Sequence, residues 1–125
     1  MNLSDLLNEK TIYCPIVSNT RNSAIQELLN SIQSLGLLSS TIKLYKHIEE
    51  FENNHSTAAG KGVAYPHSTS IEIECLTCIL GISKTGLDFN SPDGQLCHII
   101  LLSLSSEDEP AKHRKFITLF RSMIS

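Results

Sequence analysis

Thr57-Ala58-Ala59-Gly60-Lys61-Gly62-Val63-Ala64-Tyr65-Pro66-His67-Ser68 sets one histidine directly after a short apolar run. Val63, Ala64 and Tyr65 read as the end of a strand. Gly60 and Gly62 permit positive φ and the close approach of another backbone or a ligand. Pro66 fixes its own φ and keeps Tyr65 extended, so His67 is expected on a stiff turn. A side chain held in this way has already lost part of its freedom, which suits a histidine that must meet a reactive atom on another molecule. The same pattern also fits an ordinary polar residue at a strand end, since most loop histidines are inert.

Around this stretch, helical and strand patterns alternate. Thr11–Val17 reads as an edge or irregular strand because it contains Pro15. Before it, Leu3, Leu6 and Leu7 suggest a short first helix. Ser18, Asn19 and Thr20 offer N-caps for a helix whose stripe is Ala24, Ile25, Leu28, Leu29, Ile32 and Leu35, with Gly36 as C-cap. A further helix is predicted from about Ser40 to Glu52, capped by Ser39, Ser40 or Thr41. Ile73–Ser83 reads as a strand. Thr85-Gly86 and Ser91-Pro92-Asp93-Gly94 read as turns flanking Leu87 and Phe89. Cys97–Leu104 is nearly continuous apolar sequence, as in a central strand covered on both faces. Glu107-Asp108-Glu109-Pro110 opens a last helix, with acids and a proline where the helix dipole and the missing donor favour them. Strands interleaved with helices indicate an α/β sandwich.

The chain has 125 residues, enough for one core, so a single domain over 1–125 is expected. Its 41% hydrophobic and 18% charged content is that of a globular protein. A net charge of −3 and the absence of a dense Lys/Arg cluster argue against nucleic-acid binding. No apolar run reaches the length of a membrane span, and Met1–Asp5 lacks the regions of a signal peptide, so a cytoplasmic location is expected. Cys75 and Cys78 have C-x-x-C spacing, but in a strand residues three apart face opposite ways, and no second pair follows at zinc-finger spacing. The pair reads as buried free thiols; Cys14 and Cys97 are the other two cysteines, and no metal site is expected.

The stretch that opened this reading resembles the active-site signature of the mannitol/fructose class of enzyme IIA domains of the bacterial phosphotransferase system, which the nitrogen-regulatory IIA proteins share. The matching residues are Ser56, Thr57, Gly60, Gly62, Ala64, Pro66 and His67. Gly86–Gln95, followed by a buried strand, resembles the family's second block. The strand leading to an acidic loop and then a histidine near a helix start resembles its third. The resemblance implies a single-domain mixed β-sheet flanked by helices on both faces, with a last helical segment that is short here. It implies that His67 carries a phosphoryl group received from an HPr-like phosphocarrier protein. It also implies that a IIB component or a regulatory target is the next partner.

His113 lies three residues before Phe116 and four before Ile117, on the stripe expected from Phe116, Ile117, Phe120, Met123 and Ile124. Near a helix N-terminus the dipole favours a neutral imidazole there. By pattern alone, a core-edge histidine bonded to a carbonyl is the favoured reading. The resemblance implies instead that His113 is a second active-site histidine, bonded to His67 or its phosphoryl group, with both rings partly exposed in one shallow pocket. The family commonly has an arginine sixteen residues before the phosphorylated histidine, where this chain has Phe51. A phenyl ring offers nothing in place of a guanidinium fork. Lys61 and Arg114 are the cations considered as substitutes. His47 and His98 read as structural, and a metal site of His55, His67 and His113 is imaginable, but their spacing is not diagnostic of one.

Phosphoryl transfer needs positioning and charge more than many covalent partners, and a neutral histidine suffices as nucleophile. The chain has no G-x-x-x-x-G-K-[ST] loop, so ATP is not the expected donor, and no cofactor is expected. Three functions stay open: a phosphocarrier, a regulatory module read out by phosphorylation of His67, and a degenerate interaction module that is not phosphorylated.

Overall fold

The computed structural model describes residues 11–124, the side chain of Ile124 excepted. The short first helix expected at Leu3, Leu6 and Leu7 lies outside these residues. The described elements are β1 (Ile12–Tyr13), α1 (Arg21–Ser34), α2 (Ile42–Asn54), β2 (Ala58–Gly60), β3 (Val63–Ala64), β4 (His67–Ser70), β5 (Thr77–Leu87), β6 (Cys97–Ser106) and α3 (Pro110–Ile124). One mixed sheet runs in the order β1-β5-β6-β3-β2, with β4 also paired to β6. β5 and β6 are antiparallel, while β1 runs parallel to β5, and β3 and β4 run parallel to β6.

Alternation along β6 divides the core in two. Ile100, Leu102 and Leu104 pack with Ile25, Leu28, Leu29, Ile32 and Ile48 of α1 and α2. Leu101 points the other way, to Val63, Cys78, Phe116 and Phe120 under α3. A strand with helices on both sides has no polar face, which accounts for the unbroken burial from Ile100 to Ser105. Each fully buried Leu or Ile contributes about 1.5–3 kcal/mol relative to exposure, so the two cores hold the helices far more firmly than intrinsic helix propensity does.

Thr20 caps α1 as expected, its side chain accepting the Ser23 N–H at 3.2 Å. Leu35 is not part of the stripe: it is the C-cap, exposed, and Gly36 follows it at φ +81°. α2 starts after Thr41 and runs two residues beyond the expected end. β1 is an edge strand of two residues, as Pro15 foretold, and beyond it the Ile16 N–H still donates to Ile82 O at 2.7 Å.

β5 differs most from the expectation. It begins at Thr77 rather than Ile73 and runs through Thr85-Gly86 to Leu87. Ile73 and Leu76 are buried from the loop before it. Gly86 makes no chain reversal; its φ of +88° sits in an irregularity of the β5–β6 register between Ile82 and Leu87. Bulges and turns demand the same left-handed glycine, so the local sequence could not separate them. The Ser91–Gly94 turn is present, closed by the Gly94 N–H to Ser91 O at 3.0 Å. Of the pair read as buried thiols, Cys78 is buried but Cys75 is exposed, as is Cys14, because both lie outside long strands; all four cysteines are free. Met123 is exposed, since α3 there has passed the edge of its core. His98 is also exposed, although it follows the buried Cys97 on β6 and its Nδ1–H donates to Ser83 O at 2.9 Å.

Candidate active site

β3 and β4 lie along one line. Val63 and Ala64 pair with Ile99 and Ile100, and His67 resumes the same register opposite Ser103. The interruption is Tyr65-Pro66. Pro66 has no N–H to offer, but its carbonyl still accepts from Ser103 N at 3.1 Å. His67 is therefore the first residue of a strand and not a turn residue, as the sequence suggested. Period-two alternation puts Val63, Tyr65 and His67 on the α3 face and Ser68 on the α2 face, where its Oγ meets His47 Nδ1 at 2.7 Å.

The Tyr65 carbonyl is turned toward the His67 ring, with Nδ1 at 3.0 Å. A carbonyl can only accept, so Nδ1 carries the proton and Nε2 keeps its lone pair. The sequence gives the same side chain a ring stack: Tyr65 lies nearly parallel to His67, at 10° with centroids 6.1 Å apart. His67 is half-buried, leaving the ring accessible from outside.

His113 comes from the first turns of α3 and meets His67 at right angles, centroids 5.5 Å apart and planes at 85°. The two histidines expected to share a site are together. His113 is not partly exposed, however; it is only 5% exposed, because the stripe containing Phe116 and Phe120 draws it under the helix. Its Nε2 shares a 2.9 Å hydrogen bond with Ser103 Oγ, the residue directly across the ladder from His67. Burial, and then the charge of His67, push the His113 pKa down to about 4, so the ring is neutral at ordinary pH.

Phe51 occupies the last turn of α2, 37% exposed, with its ring 5.6 Å from that of His67 and 5.5 Å from that of His55. It is thus a partly open wall of the site. The next residue, Glu52, turns inward and is 2% exposed. Its carboxylate accepts the Thr57 N–H at 3.1 Å and the Thr57 hydroxyl. Burial raises its pKa against the pull of those two bonds. The Thr57 carbonyl accepts the Tyr65 N–H at 3.3 Å, and the Tyr65 carbonyl accepts from His67. A continuous series of hydrogen bonds therefore joins a buried acid to the ring that bears the free lone pair. Sequence reasoning missed Glu52, which sits at the end of a polar helix with no local sign of burial.

The Ser56-Thr57 pair and the glycines have structural work here. Ser56 donates its hydroxyl to Phe89 O and accepts the Ala58 N–H at 3.1 Å. Gly60, Lys61 and Gly62 all have positive φ, at +86°, +58° and +78°, and reverse the chain between β2 and β3. That turn is pinned by Asp93, whose carboxylate accepts the Lys61 N–H at 3.0 Å.

Neither substitute cation considered from the sequence is beside His67. Lys61 is on the turn six residues upstream, on the order of 15–20 Å away along the strand. Arg114 lines a groove on the outer face of α3 with Ala111, Lys115, Thr118, Leu119 and Ser122. Another cation contacts a ring of the site: the Arg121 guanidinium carbon lies 6.0 Å from the centroid of the Tyr65 ring, which stacks on His67. Among the described residues no cluster of three metal-ligating side chains occurs, and no helix is long and apolar enough to cross a membrane.

Known proteins share this arrangement of elements. The chain superposes on nitrogen regulatory protein IIA-Ntr from Neisseria meningitidis with a TM-score of 0.86 at 18% identity, covering 96% of this chain and 82% of that one. It superposes on IIA mannitol from Escherichia coli with a TM-score of 0.71 at 17% identity, covering 90% and 78%. In sequence it is 28% identical over 115 residues to a nitrogen regulatory protein of Bradyrhizobium diazoefficiens, across 92% of this chain and 74% of the relative. It is 26% identical over 124 residues to the fructose-specific EIIABC component of Bacillus subtilis, across 99% of this chain but only 20% of that longer protein. Residues 5–125 match the family described as "Phosphoenolpyruvate-dependent sugar phosphotransferase system, EIIA 2", and the chain belongs to that family.

Proposed function

We propose that residues 1–125 form one IIA-type domain that accepts a phosphoryl group on His67 Nε2 from an HPr-like phosphocarrier and passes it on. The observation that carries this reading is the 3.0 Å contact of His67 Nδ1 with the Tyr65 carbonyl, which leaves Nε2 unprotonated on an accessible ring. The donor is a phosphohistidine protonated on its far nitrogen. The Nε2 lone pair forms the new N–P bond as the donor's N–P bond breaks, and the donor leaves as a neutral imidazole. His67 becomes a phosphoimidazolium whose proton stays on Nδ1, still donated to Tyr65 O. Neutral His113, anchored by Ser103, supplies a hydrogen bond to a phosphoryl oxygen without adding a proton that must later be removed. The acceptor is a IIB component or a regulatory target. A IIB acceptor is supported by a structural neighbour from Escherichia coli, solved as the complex of IIA mannitol with phosphorylated IIB mannitol. Such chemistry belongs to the cytoplasm.

Phe51 favours a second reading, in which the fold is kept as a regulatory interaction module without phosphotransfer, because an aromatic ring stands against His67 at 5.6 Å. The two are separated by incubating the chain with enzyme I, its carrier protein and phosphoenolpyruvate, followed by intact-mass measurement. Phosphocarrier function requires the gain of one phosphoryl mass, acid-labile and absent in His67→Ala. No gain, or a label that maps to His113, refutes the assignment.

A further inference from the structure

A phosphoryl group on His67 would bring two negative charges into a site walled by Phe51, Tyr65 and a neutral His113. Such a site needs a cation. Arg21 is tied up, its Nε donating to Asn22 Oδ1 at 2.8 Å and its Nη2 to Asn53 Oδ1 at 2.6 Å. Lys112 pairs with Glu109 at 3.8 Å. Lys61 and Arg114 lie elsewhere, as described above. Arg121 is set apart by its position: it is exposed on the last turn of α3, with its guanidinium against the Tyr65 ring.

The layout aims it at His67. β4 runs parallel to β6, and α3 returns after a short loop, so α3 is antiparallel to β4. Passing from His113 to Arg121 along the helix therefore retraces the strand from His67 to Tyr65. Helical side chains lean toward the helix N-terminus, which here means back from Arg121 toward His113 and His67. Its guanidinium already rests over Tyr65, whose ring is parallel to that of His67 and is its immediate neighbour. No carboxylate among the described residues holds it there.

We propose that Arg121 supplies the cation for the phosphoryl group on His67, its guanidinium passing from the Tyr65 ring to the phosphoryl oxygens. The inference rests on His67 being phosphorylated. A planar fork with several donors suits this task, and a π contact with Tyr65 holds the group close, with no competing carboxylate among the described residues. Tyr65 is then both the source of the carbonyl that fixes the His67 tautomer and the resting place of the cation.

The test phosphorylates the whole chain with phosphoramidate, which needs no protein partner, and follows the phosphoryl group by ³¹P NMR across pH. A neighbouring cation lowers the phosphoryl group's own pKa. Arg121→Ala should raise that pKa by about half to one unit and Arg121→Lys by less. Arg114→Ala and Lys61→Ala should leave it unchanged. The Arg121 Nε–Hε signal should move on phosphorylation of the wild type and stay still in His67→Ala. Phosphorylated wild type and Arg121→Ala with the same phosphoryl pKa would overturn the role of Arg121 alone. So would an equal shift in Arg114→Ala or Lys61→Ala. A wild-type chain that takes no phosphoryl group on His67 would overturn the proposed function, and this inference with it.

Discussion

His113 makes the domain's stability depend on pH in a way that can be worked out. In the unfolded chain the imidazole titrates near its ordinary value of 6.5, whereas in the fold burial pushes it down to about 4. Between those values the unfolded state binds more protons, so stability falls as pH falls. The contribution is fully present above pH 6.5 and is lost progressively down to about pH 4. From pH 7 to pH 5 linkage gives a loss of about 2 kcal/mol for this one residue, a large share of the stability of a small domain. Glu52 acts in the opposite direction. Its carboxyl is raised by burial, so lowering the pH relieves part of its cost. A comparison with His113→Gln isolates the histidine, because Glu52 and His67 are present in both proteins. Urea unfolding at pH 7 and pH 5 should show the wild type losing about 2 kcal/mol more than the variant over this interval. Parallel losses in the two proteins would mean that His113 is not held neutral by burial, and would remove the reason for treating it as an uncharged hydrogen-bond donor.

Three other outcomes follow from the geometry. Glu52→Ala strands the buried Thr57 N–H and hydroxyl and should cost about 2–4 kcal/mol in chemical denaturation, with Glu52→Gln recovering part of it. Phe51→Arg should leave the fold within about 1 kcal/mol of wild type, since the ring is more than one-third exposed, and should lengthen the lifetime of a phosphoryl group on His67, read by intact mass over time. A thiol reagent under native conditions should modify Cys14 and Cys75 quickly, while Cys78 and Cys97 react only on unfolding, because burial pushes their thiols up to about 12 and about 11.

The start of helix α1 was readable to within three residues, because cap residues at 18–20 directly precede a stripe that begins at Ala24, and the structure selects Thr20. Strand β6 was readable because burial on both faces leaves no polar alternation to confuse. The bounds of β5 were not. Ile73 and Leu76 are apolar for the sake of a loop that dips into the core, and Gly86 serves a bulge inside the strand. The meeting of His67 and His113 depends on β6 and α3 folding back across the ladder. No local pattern encodes that, and it was expected only through family resemblance. Glu52, Ser103 and Arg121 were invisible for the same reason: their significance lies in partners distant along the chain, Thr57, His113 and Tyr65.

The unbroken register of β3 and β4 along β6 gives the site an arithmetic of its own. Side chains alternate faces with each residue, so His67 and Ser68 look into opposite halves of the molecule, one toward His113 and the other toward His47. Insertion or deletion of a single residue between the Lys61 turn and Pro66 would exchange them, presenting a serine to α3 and burying the histidine beneath α2. A change of two residues would preserve the face and only slide the ring along it. Length variation in this segment should therefore be tolerated by parity: even steps move the site, and odd steps erase it.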